Sequence, residues 1–160
     1  MGRSIVAVLR MQGGELELLE RSLAGPDAVR YFWSNAVDDH GVFFSTLELE
    51  LLLGRIGSSP RWDFVRVHKE ADEGRWGQSC GTASRGLVVE INGPHLLAPR
   101  DARHTPRVDI GTPTWRYRAA LEELHPVETA AEVLIAWITT GHFIDGLELR
   151  VPDPSAARHF

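Results

Sequence analysis

Cysteine is almost absent from this sequence, and its scarcity excludes several classes of protein. Cys80 is the only cysteine in a chain of 160 residues. A single thiol can form no internal disulfide, and it offers no thiolate cluster for zinc or for an iron–sulfur centre. Because chains without disulfides are typical of reducing compartments, we expect a cytoplasmic protein of bacterial type.

Long apolar runs are also absent, so the sequence predicts no membrane partner. A helix that spans a bilayer needs roughly 18 or more consecutive apolar residues, and no such run occurs here. The first apolar stretch, residues 5–9, is shorter than the core of a secretory signal peptide, and we interpret it as part of a strand.

The usual motifs for nucleotides and metals are missing as well. The chain has no G-x-G-x-x-G pattern and no Walker A loop, and its histidines do not follow metal-binding spacings such as H-E-x-x-H. We therefore expect no cofactor and no metal. The net charge of -5 disfavours nucleic acid, whose phosphate backbone attracts basic proteins, and it favours a basic protein partner.

What the sequence does contain is the composition of an ordinary globular domain. A hydrophobic fraction of 43% and a charged fraction of 24% argue against disorder and against a coiled coil. A chain of 160 residues is long enough for one hydrophobic core and too short for two. We predict a single domain over residues 1–151 and a C-terminal tail over residues 152–160.

Turn residues divide much of the chain into short segments with strand character. Gly13 and Gly14 permit the tight turn of a β-hairpin, and later turns separate an antiparallel meander of three strands. The predicted strands are residues 5–11, 15–20, 62–69, 75–80, 87–92 and 147–151. Residues 93–114 are predicted to be irregular apart from a short strand at 107–110. This arginine-containing stretch is either a solvated loop or a binding loop.

Three segments are predicted to be helical. Pro26 and Asp27 suit a first helical turn, and Val29, Phe32, Trp33 and Ala36 then fall on one helical face, so we predict a helix that ends near His40. Residues 126–140 show the clearest amphipathic pattern of the chain, with Gly141 after the end.

The third helical segment, residues 46–56, is ambiguous. Leucine alternates along it as in a strand, whereas Ser45 and Glu48 match the capping box that begins helices. We favour the helix, because leucine and glutamate are good helix formers. The predicted fold is therefore α+β, with a mostly antiparallel sheet packed against two or three helices.

A possible catalytic motif surrounds Ser79. The segment from Gly77 to Gly81 matches G-x-S-x-G, which exposes a nucleophilic serine between a strand and a helix in α/β-hydrolases. Here a strand rather than a helix is predicted to follow. A hydrolase that uses Ser79 with His95 or His125 is therefore an alternative function and not our leading one.

Tryptophan and acidic residues supply the candidate binding site. Tryptophan is enriched among interface anchors, although for any one of these tryptophans we favour a place in the core over an interface. Acidic side chains can steer a basic partner toward the protein. The predicted binding residues are Trp62, Trp76, Trp115, Asp38, Asp39, Glu70, Asp72 and Glu73.

The order of elements toward the C-terminus resembles that of a known protein class. The run Ala131-Glu132-Val133-Leu134-Ile135-Ala136-Trp137 leads to Gly141 and then to the strand Leu147-Glu148-Leu149-Arg150. In this order the chain resembles small actinobacterial immunity proteins that neutralise secreted polymorphic toxins. Its last strand lacks the tryptophan that one such family carries there. The resemblance assigns no functional residue.

Taken together, these features predict a non-enzymatic protein-binding module. The resemblance implies an immunity or inhibitor protein that occludes a toxin or enzyme partner. Besides the serine hydrolase, a domain that binds a small ligand between the sheet and the helices is an alternative.

Overall fold

Antiparallel strands make up most of the described chain. The computed structural model describes residues 9–12, 15–18, 29–92, 95–99, 106–112, 115–150 and 157–158. Its strands are β1 (Leu9–Gln12), β2 (Glu15–Leu18), β3 (Tyr31–Asn35), β4 (His40–Phe43), β5 (Phe64–Lys69), β6 (Asp72–Thr82), β7 (Gly86–Ile91), β8 (His95–Pro99), β9 (Arg107–Thr112), β10 (Trp115–Ala120), β11 (Leu147–Arg150) and β12 (Ala157–Arg158). The helices are α1 (Thr46–Leu53) and α2 (Val127–Thr140), with short 3-10 turns at Pro60–Trp62 and Leu121–Glu123.

The strands form one large sheet and two small ones. The large sheet has the order β11-β8-β7-β6-β5-β3-β4, so the long strand β6 lies at its centre. Strands β12, β10 and β9 form a second sheet, and β1 pairs with β2. All of these pairings are antiparallel. The predicted α+β class, with an antiparallel sheet packed against two helices in a single domain, is confirmed.

One face of the large sheet carries the main core. Alternate residues of β5 and β7, such as Val65, Val67 and Val89, are fully buried on this side. They pack with fully buried side chains of α1 and α2, including Leu49 and Leu134. Burial of each large aliphatic side chain contributes about 1.5–3 kcal/mol, so this layer is the main source of stability.

A smaller apolar cluster lies on the other face, at one end of the sheet. Phe64, Cys80 and Val88 are cross-strand neighbours in β5, β6 and β7. Ile110 of β9 and Ala119 of β10 pack against this row. The second sheet therefore packs against that end of the face.

The predicted first helix is wrong within the described residues. Residues 31–35 form β3, which pairs with β4 on one side and β5 on the other. Burial alternates along this strand: Tyr31, Trp33 and Asn35 are buried, and Phe32 and Ser34 are half-buried. Aromatic residues favour strands. The helical spacing of Phe32 and Trp33 from Val29 and Ala36 arose by chance in this short segment. Pro26 and Asp27 lie outside the described residues.

The predicted irregular stretch at residues 93–114 contains two strands. β8 pairs with β7 and β11, and β9 pairs with β10, so the expected strand at 107–110 is confirmed and longer. The proline in β8 occupies the last strand position, where a missing N–H is tolerated. Residues 100–105 lie outside the description, as do residues 152–156 and 159–160 of the predicted tail. Ala157–Arg158 pairs with β10.

Both remaining helices follow their sequence signals. The Ser45 Oγ accepts a hydrogen bond from the Glu48 amide at 3.2 Å, so the predicted cap of α1 is present. The Glu48 carboxylate accepts from the Phe44 amide at 2.6 Å, one residue before the expected partner. α2 ends at Gly141, whose φ of 73° is left-handed. Within the described chain, neither helix is long and apolar enough to cross a bilayer.

The cap of α1 predicts the result of a conservative substitution. Ser45→Ala removes the acceptor for the Glu48 amide and should lower the free energy of unfolding by about 1 kcal/mol. Ser59→Ala is the matched control, because Ser59 precedes the 3-10 turn without making a side-chain cap bond. Chemical denaturation measures both changes. Equal losses in the two variants would contradict the capping role of Ser45.

The strand assignment of residues 31–35 predicts a steric effect at Gly41. Gly41 lies opposite Trp33 in the β3–β4 pair, and a Cβ there would lie 2.7 Å from the Trp33 Nε1. The Trp33 ring also stacks on Trp62 at 5.6 Å, so it has little room to move. Gly41→Ala should therefore destabilise the protein by about 1–3 kcal/mol.

Gly74→Ala is the control for this substitution. Gly74 is also a strand residue, but a Cβ there would meet its nearest neighbour at an ordinary 3.5 Å. Thermal unfolding should show a lower Tm for Gly41→Ala only. An unchanged Tm for Gly41→Ala would count against the packing of Trp33 under β4.

Candidate functional site

Two rows of side chains lie on the face of the large sheet opposite the helices. A Cβ at Gly77 would lie 2.6 Å from the Leu134 Cδ2 of α2, so residue 77 faces the helices and its neighbours in β6 face away. One row joins Arg66, Gln78 and Glu90 across β5, β6 and β7. The adjacent row joins Phe32, His68 and Trp76 across β3, β5 and β6. We call these six residues the open face, because Arg66 is exposed and the others are half-buried.

The first row forms a chain of side-chain hydrogen bonds. Arg66 donates from Nε and Nη2 to the Gln78 Oε1 at 3.2 and 3.1 Å. The Gln78 Nε2 in turn donates to the Glu90 carboxylate. Because a carboxylate only accepts, it fixes the orientation of the Gln78 amide, whose oxygen then faces the guanidinium. Glu90 therefore positions Arg66 through Gln78.

The second row supplies flat ring surfaces beside this chain. The Arg66 guanidinium carbon lies 4.3 Å from the centroid of Trp76, within the range of a cation–π contact. Phe32 and His68 stack with centroids 5.4 Å apart and planes 16° apart. A cation and three rings are thus adjacent on one surface.

The backbone of Trp76 is held from both sides. Its amide donates to the Asn92 Oδ1 at 2.9 Å, and its carbonyl accepts from the Trp137 Nε1 at 3.0 Å. Trp137 belongs to α2, which packs on the opposite face of the sheet. The helix layer thereby fixes the strand that presents Trp76.

Burial changes the proton affinity of two groups near this surface. It raises the pKa of Glu90, although the hydrogen bond from Gln78 and the charge of Arg66 act in the opposite direction. Burial also raises the pKa of the Cys80 thiol well above its ordinary value, and the charges of Glu90 and Asp63 add to this effect. Cys80 is therefore a protonated core residue and not a nucleophile.

Part of the predicted binding site does lie on or beside the open face. Trp76 belongs to it. Glu70 in the turn after β5, and Asp72 and Glu73 at the start of β6, lie at the same end of the sheet. Glu70 pairs with Arg30 at 3.7 Å, and Asp72 pairs with Arg75 at 3.7 Å. Glu73 is exposed.

The other predicted acidic residues lie at the opposite end of the sheet. Asp38 and Asp39 occupy the turn between β3 and β4. Asp39 accepts from the Asn35 Nδ2 at 3.0 Å and lies 3.5 Å from the Arg61 Nη1, whereas Asp38 is exposed with a left-handed φ of 60°. The predicted acidic residues therefore form two separate groups and no single acidic surface.

The remaining two predicted tryptophans do not join the open face. Trp62 is only 6% exposed, stacks on Trp33 and lies under the guanidinium of Arg55, so the core interpretation was the correct one. Trp115 begins β10 in the second sheet, and its side chain lies outside what the structure describes.

The geometry does not support a nucleophilic Ser79. Ser79 lies within β6, fully buried, and its Oγ donates to the Val88 carbonyl at 3.0 Å. β6 continues through a turn into β7 and not into a helix, so it forms no nucleophile elbow. His125 is buried and its backbone pairs with Leu87, while the side chain of His95 lies outside the description.

A metal cluster finds no support in the described parts of the chain, and apolar side chains occupy the layer predicted for a small ligand. No group of three or more His, Cys, Asp or Glu side chains there could hold a metal ion. The layer between the sheet and the helices, where a small ligand was the other alternative, is filled by fully buried apolar side chains such as Leu53 and Ile138.

Comparisons with known proteins identify no relative of this chain. No family model matches it, and neither a curated protein nor a solved structure does. The open face is therefore the basis on which a function can be inferred.

Most residues of the open face were missed in the sequence. Gln78 follows Arg66 by 12 residues and Glu90 follows Gln78 by another 12, so only the antiparallel register brings the three together. The alternation of Val65 and Val67 with Arg66 was a usable signal, but the nearby tryptophan and aspartate obscured which residues face outward.

The raised pKa of Glu90 predicts a pH-dependent stability. The folded state binds this proton more tightly than the unfolded state, so the free energy of unfolding falls as pH rises from about 4.5 through the raised pKa. Glu90→Gln cannot titrate and lacks this component. The difference between wild type and Glu90→Gln should therefore shift in favour of wild type as the pH is lowered from 8 to 4.5.

Chemical denaturation across this pH range measures the difference directly. The control is Glu132→Gln, which makes the same substitution at an exposed position on α2. The free energy of unfolding of wild type minus that of Glu90→Gln should rise as the pH is lowered. If this difference stays constant or falls, Glu90 has no raised pKa in the folded protein.

Proposed function

We propose that this protein is a non-enzymatic protein-binding module that docks its partner on the open face. The observation that supports this proposal is the exposed Arg66 lying against Trp76, next to the stacked Phe32 and His68. Arginine and the aromatic residues are enriched at the energetic centres of protein interfaces. They combine a large apolar contact area with directional hydrogen bonds.

The rigidity of these side chains also favours binding. Gln78 and Trp76 restrain the guanidinium of Arg66, and Trp137 and Asn92 restrain the backbone of Trp76. Ordering a long side chain during association costs about 0.5–1.5 kcal/mol, and a side chain that is already restrained avoids much of that loss.

An immunity or inhibitor protein is the more specific form of this proposal. It rests on the resemblance in element order and on the lack of support for a catalytic centre at Ser79, which is buried in β6. Such a protein acts by covering the active site of a toxin, which requires surface complementarity and no chemistry of its own. We place it in a reducing compartment, because its single cysteine is a free thiol.

A basic partner, which the acidic composition suggested, is not favoured by this arrangement. The predicted acidic residues lie at two ends of the sheet. Glu70, Asp72 and Asp39 are also each paired with an arginine. Paired, partly exposed carboxylates attract a distant cation only weakly.

Site-specific photo-crosslinking tests the proposed docking surface. A benzophenone amino acid at position 32 replaces one aromatic residue of the open face by another and should trap a discrete protein partner in the native cells. The same probe at Leu47, which is 59% exposed on α1, is the control and should trap none. The trapped protein is then identified by mass spectrometry, purified and bound to this chain in solution.

Binding of that purified partner should depend on the open face. Trp76→Ala should raise the Kd about tenfold or more, as expected for the loss of an interface anchor. Arg85→Ala alters an exposed residue in the turn between β6 and β7 and should leave the Kd unchanged. A partner that binds Trp76→Ala and wild type equally would rule out docking on this face. Rescue of growth in cells that express the partner would support the inhibitor form.

A further inference from the structure

We propose that Arg66 receives a carboxylate side chain of the partner, while an apolar side chain next to that carboxylate covers Trp76 and the Phe32–His68 stack. This inference rests on the proposed docking function and adds the chemistry of the docked segment. It commits the open face to a protein segment in which Asp or Glu adjoins an apolar residue.

The geometry of Arg66 leaves one side of its guanidinium available. Five N–H groups project from a guanidinium, and two of those of Arg66 go to the Gln78 Oε1 through Nε and Nη2. The remaining donors lie on Nη1 and on the outer side of Nη2. These adjacent nitrogens form the edge that binds a carboxylate with two parallel hydrogen bonds.

The neighbouring carboxylates do not occupy this edge. Glu90 accepts the amide of Gln78, and the ion pairs of Glu70 and Asp72 are with Arg30 and Arg75. Among the described carboxylates, none forms an ion pair with Arg66. The charge in the middle of the open face is therefore a cation that the fold positions without neutralising it by direct contact.

Charge complementarity then selects the occupant. A lysine or arginine of a partner would face the Arg66 cation, whereas a carboxylate would gain charge-assisted hydrogen bonds from it. The rings of Phe32, His68 and Trp76 lie beside the guanidinium and can bury an apolar neighbour of that carboxylate. The pKa of Glu90 on this face is raised by burial, so the contact should be measured at constant pH.

A displayed library of random 12-residue peptides, selected on the purified full chain, tests this chemistry. Peptides that are retained by wild type and lost with Trp76→Ala should be enriched in Asp or Glu next to an apolar residue. One such peptide is then synthesised in two versions, one with its Asp or Glu and one with the matching Asn or Gln. The Kd of each version is measured at two salt concentrations.

The expected result is a coupled loss. Replacing the peptide carboxylate by the amide should weaken binding to wild type about tenfold or more, and Arg66→Gln should have a similar effect on the acidic peptide. Combining the amide peptide with Arg66→Gln should lower the affinity little more than either change alone, because both remove the same interaction. Arg85→Gln is the matched control and should leave the Kd unchanged. Higher salt should weaken the binding of the acidic peptide more than the binding of its amide variant.

Other outcomes separate this inference from the proposed function. Peptides that depend on Trp76 but bind equally well after Arg66→Gln, or without an acid, overturn the inference and leave docking on the open face intact. Peptides that depend on neither Trp76 nor Arg66 contradict both. If Arg66→Gln lowers the Tm, Arg66→Lys replaces it in the test. Lysine keeps the charge but cannot form the bidentate hydrogen bonds of a guanidinium, so Arg66→Lys should also bind the acidic peptide more weakly.

Discussion

The antiparallel register of β5, β6 and β7 is the constraint on which the rest of this structure depends. It pairs Val65 with Ser79 and Val89 toward the helices, and it pairs Arg66 with Gln78 away from them. A slip of one residue would exchange the two faces of the slipped strand, burying a cation and exposing the core. The apolar burial that holds the register therefore also determines which polar side chains meet on the open face.

The two faces of the sheet are coupled through its central strand. Gly77 lets α2 approach β6 closely, because a Cβ at this position would overlap the Leu134 side chain. The same approach lets the indole of Trp137 reach the carbonyl of Trp76, so the helix layer restrains the strand that carries the open face. A surface built on a restrained sheet loses little conformational freedom on binding, which favours the docking that we propose for the open face.

Burial explains why Ser79 and Cys80 are not available as nucleophiles in this fold. Ser79 and Cys80 are adjacent in β6 but point to opposite faces, each into an apolar cluster or layer. The serine hydroxyl is held by the carbonyl of Val88, and the thiol stays protonated. The polar groups of the open face are instead joined in the Glu90–Gln78–Arg66 chain. That chain orients a cation, a property suited to recognition.

The sequence by itself determined the local features of this protein, namely α1 from its capping box, α2 from its apolar stripe and the meander from its turns, because each signal lies within a few residues of chain. It also singled out Trp76. It failed at residues 31–35, where a short aromatic segment fits a helical and a strand period alike. Only the tertiary structure decided that Arg66, Gln78 and Glu90 meet, and that the acidic residues separate. These outcomes follow from pairing between distant strands, which no local period encodes.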